Sequence, residues 1–570
     1  QDIYNNVTSL RGVIHLWSFT HQELEQAQVF GCASLLHLVQ TVAKHNQAIM
    51  PKIWVVTQGA QAVEFEQSNK HNSNYDSYQE IMQSTLWGLG KVIALEHPEI
   101  WGGLLDLTSE IDEDIVKMLL SEILDSEGED HLAFRSRQRY VARLVRKDLF
   151  QAKKLETKEI ETKKFLSNDA TYLITGGYGA LGLKVAEWML NQGAKYLVLL
   201  GRHGVSEKAK EIITKMEETG TKIVIIQADV SNQDDMKRVL DNISAAMPIL
   251  RGIVHAAGVL DDGILLQQNW ERFSKVLAPK VQGAWNLHLL TQNLTLDFFV
   301  CFSSATSLLG SPGQGNYAAA NAFLDALAHY RQKQGLSGLS INWGQWAHQG
   351  MVANLDSRHQ KRQKVLGFIP IEPEQGLQLL GLIKQTIPQI GVLPIDWSVF
   401  KANTTSQKIQ LLTELFGEVE AQETVKEKNT TQEYPFLQQL KVAQNNSKKD
   451  LLITHIQKQV AKLLQLQYPQ LPDPEEGLFA MGMDSLMLVE LKNILDVDLA
   501  TILPTTLVFE CSTIQDLADY LLHKVLQNDS KLSEPESVPV LLINELSVNT
   551  VDDVLLTERL EKLERLLKSE

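Results

Sequence analysis

At 570 residues the chain is long enough for several domains, each with its own core, and a formal net charge of −16 argues against nucleic acid and anionic membrane surfaces as partners. Its 3 cysteines, Cys32, Cys301 and Cys511, are too widely spaced for a disulfide framework or a metal cluster. With no signal peptide and no apolar run of roughly 18 residues, the chain reads as soluble and cytoplasmic.

In chain order, residues 1–150 alternate strand patterns (Gly12–Trp17, Lys52–Thr57, Gly103–Leu107) with helical ones, and no glycine-rich phosphate turn follows any of those strands. Gln1 stands so close to the first strand that the chain reads as a fragment of a longer polypeptide. The Lys- and Glu-rich stretch 146–167 reads as a connector. Residues 165–400 open with TYLITGGYGALGLKVAEWML, an apolar strand, a turn with Gly177, Gly179 and Gly182 in G-x-G-x-x-G order, and a helix. Such glycines let the backbone approach a pyrophosphate at a helix N-terminus. Arg202 follows the next strand, where an acidic residue would select NAD, so a 2′-phosphate and hence NADPH is expected. Further strands bring Asp229 and Ala257 to carboxyl ends, where a doubly wound sheet binds its ligands.

The segment FFVCFSSATSLLGSPGQGNYAAANAFLDALAHY predicts a buried strand ending at Ser303 and Ser304, then a helix opened by Tyr317 with Asn321 one turn on. A tyrosine is a poor acid–base group at neutral pH unless a cation stabilises its phenolate, and Lys280 in APKVQGAWNLH can be that cation. The polar stretch 403–448 reads as a linker. Residues 449–527 hold helical patterns around FAMGMDSLMLVEL, with Ser485 at a helix start. A bare D-S-L would suit an ordinary N-cap. The tail 540–570 carries Val554, Leu555, Leu560, Leu563, Leu566 and Leu567 among charges, as either a solvated terminal helix or a docking helix.

TGGYGALG, HAAGVLDD, APKVQGAW, the serine pair and YAAANAFLDALA resemble, in order, the ketoreductase domains of modular type I polyketide synthases, a branch of the short-chain dehydrogenases. That resemblance implies a Rossmann-like α/β double domain. WGLGKVIALEHPE in the first half resembles its structural, non-catalytic copy, truncated at the N-terminus here. Most short-chain dehydrogenases have Tyr-x-x-x-Lys; here Asn321 takes that lysine's place, as in the polyketide branch. The resemblance assigns catalysis to Tyr317, Ser304, Lys280 and Asn321. It assigns cofactor binding to Thr175, Gly176, Gly177, Tyr178, Gly179, Leu181, Gly182, Arg202, Asp229, Val230 and Ala257. Tyr317 would protonate the alkoxide, Ser304 would bond its oxygen, Lys280 would lower the tyrosine pKa and hold the ribose, and Asn321 would steady the lysine and a water.

The segment from about 449 to 527 resembles the acyl carrier proteins, a small all-α four-helix fold, which implies 4′-phosphopantetheine on Ser485 and a phosphopantetheinyl transferase to add it. Leu260, Asp261 and Asp262 resemble the motif of B-type reductases, which give a D-β-hydroxyl; the plainer reading is that the aspartates cap the next helix. Leu309 stands where the A type has tryptophan. Pro312 fits the epimerising subgroup and Asn316 does not, so no epimerisation is expected. Partners implied are the upstream domains of the module, the next synthase polypeptide through the tail, and a second copy in a homodimer. The alternative is a carrier and docking platform whose reductase is silent.

Overall fold

Short runs rich in Val, Ile, Leu and Trp form two largely parallel sheets, as expected of strands covered on both faces. The computed structural model describes residues 10–19, 23–45, 50–63, 77–147, 166–347, 366–382, 387–402, 410–417 and 435–531, apart from 109, 126, 127, 465, 467–470, 500, 502 and 505. The tail 540–570, and with it the docking-helix expectation, lies outside the described residues.

The first sheet takes β1 (Gly12–His15), β2 (Lys52–Gln58), β3 (Trp101–Leu107), β4 (His131–Arg135) and β5 (Gln138–Val141) in that order. β4 and β5 form an antiparallel hairpin that the periodicity did not suggest, its turn made by Ser136 and Arg137 at φ 49° and 60°. At the end of β2, where a nucleotide-binding half would offer its amides to phosphate, the Asp106 carboxylate takes them instead. It accepts from Ala60 N at 2.9 Å, Gln61 N at 3.0 Å and Thr57 Oγ1 at 2.6 Å, and pairs with buried Arg135. An internal anion thus fills the nest and leaves those amides unavailable to a phosphate.

The second sheet is β12-β11-β10-β9-β6-β7-β8, with β6 (Thr171–Thr175), β7 (Tyr196–Gly201), β8 (Lys222–Gln227), β9 (Leu250–His255), β10 (Phe298–Ser304), β11 (Leu339–Trp343) and β12 (Gln389–Val392). Every pairing in it is parallel. The order reverses between β6 and β9, which opens a crevice at their carboxyl ends. The two halves join through the helices Ser84–Glu96 and Gly315–Lys333, and their approach needs glycine: a Cβ on Gly88 would stand 2.1 Å from the Ala318 carbonyl oxygen.

The described part of the 403–448 linker is not a free connector. Residues 410–417 are helical and bury Leu412, Leu415 and Phe416 against Leu309, Ile395 and Phe400. The helix Pro435–Val442 stacks Phe436 on His455, ring centroids 3.6 Å apart. Apolar residues at helical spacing inside a polar composition produce both. Beyond it come the helices Asn445–Leu464, Ser485–Asp498 and Leu507–Glu510, around buried Leu452, Ile456, Val460, Leu488, Leu491 and Leu495. A helix beginning at Ile514 runs to Lys531; its residues from Ala518 belong to a second compact unit. Among the described residues no helix is long and apolar enough to cross a membrane and no His, Cys, Asp and Glu group could hold a metal ion.

Candidate active site and carrier serine

The glycine turn follows β6 at the crevice. Gly176 adopts φ 68°, open to glycine and strained for other residues. A Cβ on Gly182 would stand 2.2 Å from Gly176 O, and one on Gly177 2.6 Å from Ile174 O, so only glycines let the turn lie flat against the helix that follows. That helix, Ala180–Asn191, begins at Gly179 with no side-chain cap, which leaves its first amides for an anion. The cradle suits a dinucleotide pyrophosphate.

Around it, Thr175 Oγ1 lies 2.7 Å from His255 Nδ1 and Tyr178 donates to His203 O at 2.6 Å with its ring against Gly201. Leu181 packs on the core beside them. Arg202 is exposed at the end of β7. Asp229 follows β8 and accepts from Ser231 N and Oγ at 2.9 and 2.6 Å. Val230 is buried, with its carbonyl accepting from Asn286, and Ala257 follows β9. The residues expected at the cofactor site therefore sit at or just after the ends of strands β6 to β9, in the turn, or in the first turn of the helix Ala180–Asn191.

Ser304 ends β10 and Tyr317 lies in the first turn of Gly315–Lys333. Lys280 comes from the helix Trp270–Thr291; only 2% exposed, it stands 5.3 Å from the Tyr317 ring centroid and donates to Phe302 O at 2.9 Å. Gly258 makes room for it, since a Cβ there would meet Lys280 Cε at 2.9 Å. Burial pushes the Tyr317 phenol up to about 12, against the opposing hydrogen bonds of Asn321 and Ser304. Burial, with the nearby Asp262 charge, raises the phenol where a lowered tyrosine pKa is expected from the sequence, while Lys280 faces the ring and spends a proton on a carbonyl. Asn321, expected to steady the lysine, donates instead to the Tyr317 carbonyl at 2.7 Å.

The loop after β9 is tied on both sides. Asp261 takes Arg272 Nε at 2.7 Å and Lys275 Nζ at 3.1 Å, and its carbonyl accepts from Asn316 at 2.8 Å. Asp262 accepts from Gln314 at 3.0 Å, and Leu260 precedes them half-buried. The helix that follows is capped by Asn269, so the aspartates do not cap it.

Two buried acids that sequence reasoning missed hold this geometry. Asp325, two turns after Tyr317, accepts from Ser307 and Ser340 at 2.6 Å each and from Asn342 at 2.9 Å, fastening β11 and the Ser304 turn to the tyrosine helix. Glu96, from the first half, accepts from Leu265 N and Gly313 N at 2.7 Å each, and so joins the loop after β9 to the loop before Tyr317. Each is a lone acid in an apolar stretch, LDALA and VIALE, which was the available signal.

Ser485 is the first residue of its helix. Asp484 is the cap, its side chain accepting from Met487 N at 2.8 Å, so the serine hydroxyl is not needed for capping. Gln267 Nε2 donates to it at 2.7 Å.

Fold and site together define a Rossmann-type reductase joined to a carrier domain. Residues 170–348 match the KR domain family and residues 455–521 the phosphopantetheine attachment site. Polyketide synthase GfsA of Streptomyces halstedii is 33% identical over 524 residues, 90% of this chain and 7% of that synthase. The pikromycin synthase component PikAIII of Streptomyces venezuelae is 32% identical over 489 residues, 84% of this chain and 30% of that component. An A1-type ketoreductase structure superposes with TM-score 0.63 at 30% identity, over 74% of this chain and 85% of that one. The chain belongs to the modular type I polyketide synthases, as a ketoreductase domain followed by an acyl carrier domain, and spans less than a third of the length of either synthase named above. The cofactors of these domains are NADPH and 4′-phosphopantetheine.

Proposed function

We propose that the chain reduces the β-keto group of an acyl thioester carried on Ser485 to a D-β-hydroxyl, with NADPH in preference to NADH and without inverting an α-substituent. The observation that carries this reading is the convergence of Tyr317, Ser304 and Lys280 beside the glycine cradle, in one chain with a helix-start serine that is not needed as the cap. NADPH supplies the hydride. Ser304 Oγ donates to the ketone oxygen and Tyr317 gives its phenolic proton to the developing alkoxide. Lys280, 5.3 Å from the Tyr317 ring centroid, is the cation that stabilises the phenolate left behind. Asp261 and Asp262, held by Arg272, Lys275 and Gln314, border the approach that sets which carbonyl face meets the hydride. The rest of the synthase supplies the acyl chain, and a phosphopantetheinyl transferase supplies the arm.

Incubation with NADPH and a β-ketoacyl thioester, followed by chiral chromatography, tests the reading. The expected product is predominantly the D-hydroxyacyl thioester with its α-methyl retained. A predominantly L product would sink the B-type assignment, and absence of turnover would leave the carrier-platform alternative.

Arg202 gives a second expectation. A hydrogen bond to a charged group is typically worth about 1.5–3 kcal/mol, so NADPH should bind at least about tenfold tighter than NADH, and Arg202→Ala should erase most of that margin. Titration of both nucleotides against both proteins decides it, and an unchanged preference in the variant counts against this role.

The pH profile gives a third. Burial lowers the Lys280 pKa to about 8, despite the opposing influence of Cys301 and Asp325, while Tyr317 stays protonated to about 12. The ammonium is therefore present below about pH 8 and lost above it. Reduction, as kcat/KM, should hold steady up to that point and fall as pH rises through it; a rate that keeps climbing well beyond pH 8 would remove the lysine from the mechanism.

A further inference from the structure

The carrier serine is already seated on the reductase. Gln267, whose Nε2 lies 2.7 Å from Ser485 Oγ, closes the short turn Leu265–Gln267 just after the Leu260–Asp262 loop. Beside it, Leu486 covers Gly313: φ there is 82°, and a Cβ would stand 2.6 Å from Leu486 Cδ2. Lys492, seven residues after Ser485 and so on the same helix face, is fully buried. Its charge is met by Asp496 at 2.8 Å. Ser485 and Leu486 therefore each meet a reductase residue.

This platform is preassembled. Glu96 holds Leu265 N, at the start of the Gln267 turn, and Gly313 N at the same time, and Gly263 N donates to Gly313 O at 2.8 Å. One buried carboxylate thus fixes the spacing of the two surfaces that Ser485 and Leu486 touch.

We propose that the Leu265–Gln267 turn and Gly313 form the reductase's docking platform for its own carrier helix, and that the Gln267 amide recognises the phosphodiester at Ser485 during reduction. The inference rests on the reading of Ser485 as the attachment site and of Tyr317 as the proton donor. Once Ser485 is esterified, its Oγ becomes a bridging oxygen, and an amide already within hydrogen-bond distance can donate to a neighbouring phosphate oxygen. The position of this contact, next to the Asp261–Asp262 loop, delivers the arm from that side of the crevice.

The test uses the full chain, loaded at Ser485 with a β-ketoacyl phosphopantetheine and mixed with excess NADPH in a single turnover, beside steady-state reduction of a diffusible thioester bearing the same acyl group. Gln267 is exposed, so its substitution leaves the core intact. Gln267→Glu sets a carboxylate against the phosphodiester and should slow tethered reduction at least about tenfold. Gln267→Ala, which only removes the donor, should slow it about threefold. Both should reduce the diffusible thioester within about twofold of the unaltered protein, since the glycine cradle and Tyr317 are untouched. Equal tethered rates in all three proteins would overturn the proposal. So would parallel losses in the two assays, which would put Gln267 in the reducing site itself. Failure of the unaltered protein to reduce the diffusible thioester would instead bring down the reductase reading, and the docking inference with it.

Discussion

Tyr317→Phe is expected to lower reduction of a β-ketoacyl thioester at least about a hundredfold, because positioned proton transfer typically contributes about 10²–10⁴-fold. The argument is specific to the hydroxyl. Phenylalanine keeps the ring that faces Lys280 at 5.3 Å and the backbone carbonyl that Asn321 bonds, so the helix start and the lysine stay in place. What disappears is the group that Ser304 and Asn321 reach in the buried site. Leaving buried polar partners unmatched costs about 1–3 kcal/mol, which thermal unfolding would register as a modest shift. NADPH binding, assigned above to the glycine turn and Arg202, should be unchanged in the same preparation. Turnover that persists in the variant with bound NADPH would show that another group, or solvent, supplies the proton.

The sequence made the catalytic half legible because its chemistry is written in local motifs. A strand, a glycine turn and a helix are adjacent in TYLITGGYGALG, and the steric need for Gly177 and Gly182 is met within the same few residues. Ser304 and Tyr317 are close in sequence and each marks an element boundary. What periodicity could not convey was interaction at long range. Glu96 acts on Leu265 and Gly313, 169 and 217 positions away, and nothing in VIALEHP says which amides it will meet. Asp106 occupying the amides of Ala60 and Gln61 is equally silent in sequence, though it takes the donors that a phosphate would need at the end of β2. The surroundings of Tyr317 are hidden for a related reason: proximity of Lys280 can be anticipated from sequence, whereas the extent of burial that pushes the phenol up cannot. The polar composition of 403–448 likewise hid Leu412, Leu415 and Phe416, whose spacing buries them against Phe400 and Ile395.

Ser485→Ala is expected to abolish modification altogether. A phosphopantetheinyl transferase acting with coenzyme A should add about 340 Da to the unaltered chain and nothing to the variant, as read by intact mass. The substitution isolates the hydroxyl: Asp484 carries the cap through Met487 N, alanine is a favourable helix residue, and buried Leu488, Leu491 and Leu495 keep the helix in the carrier core. The site also suits the product, since a phosphodiester at the first helical position carries its charge to the positive end of the helix dipole. The reductase should survive the change, because the serine contributes one hydrogen bond to exposed Gln267 and none to the Tyr317 site. Tethered reduction should therefore vanish while a diffusible thioester is still reduced at the unaltered rate. An alanine variant that still gains the arm would move the attachment to another serine and leave the Ser485–Gln267 contact as an ordinary surface hydrogen bond.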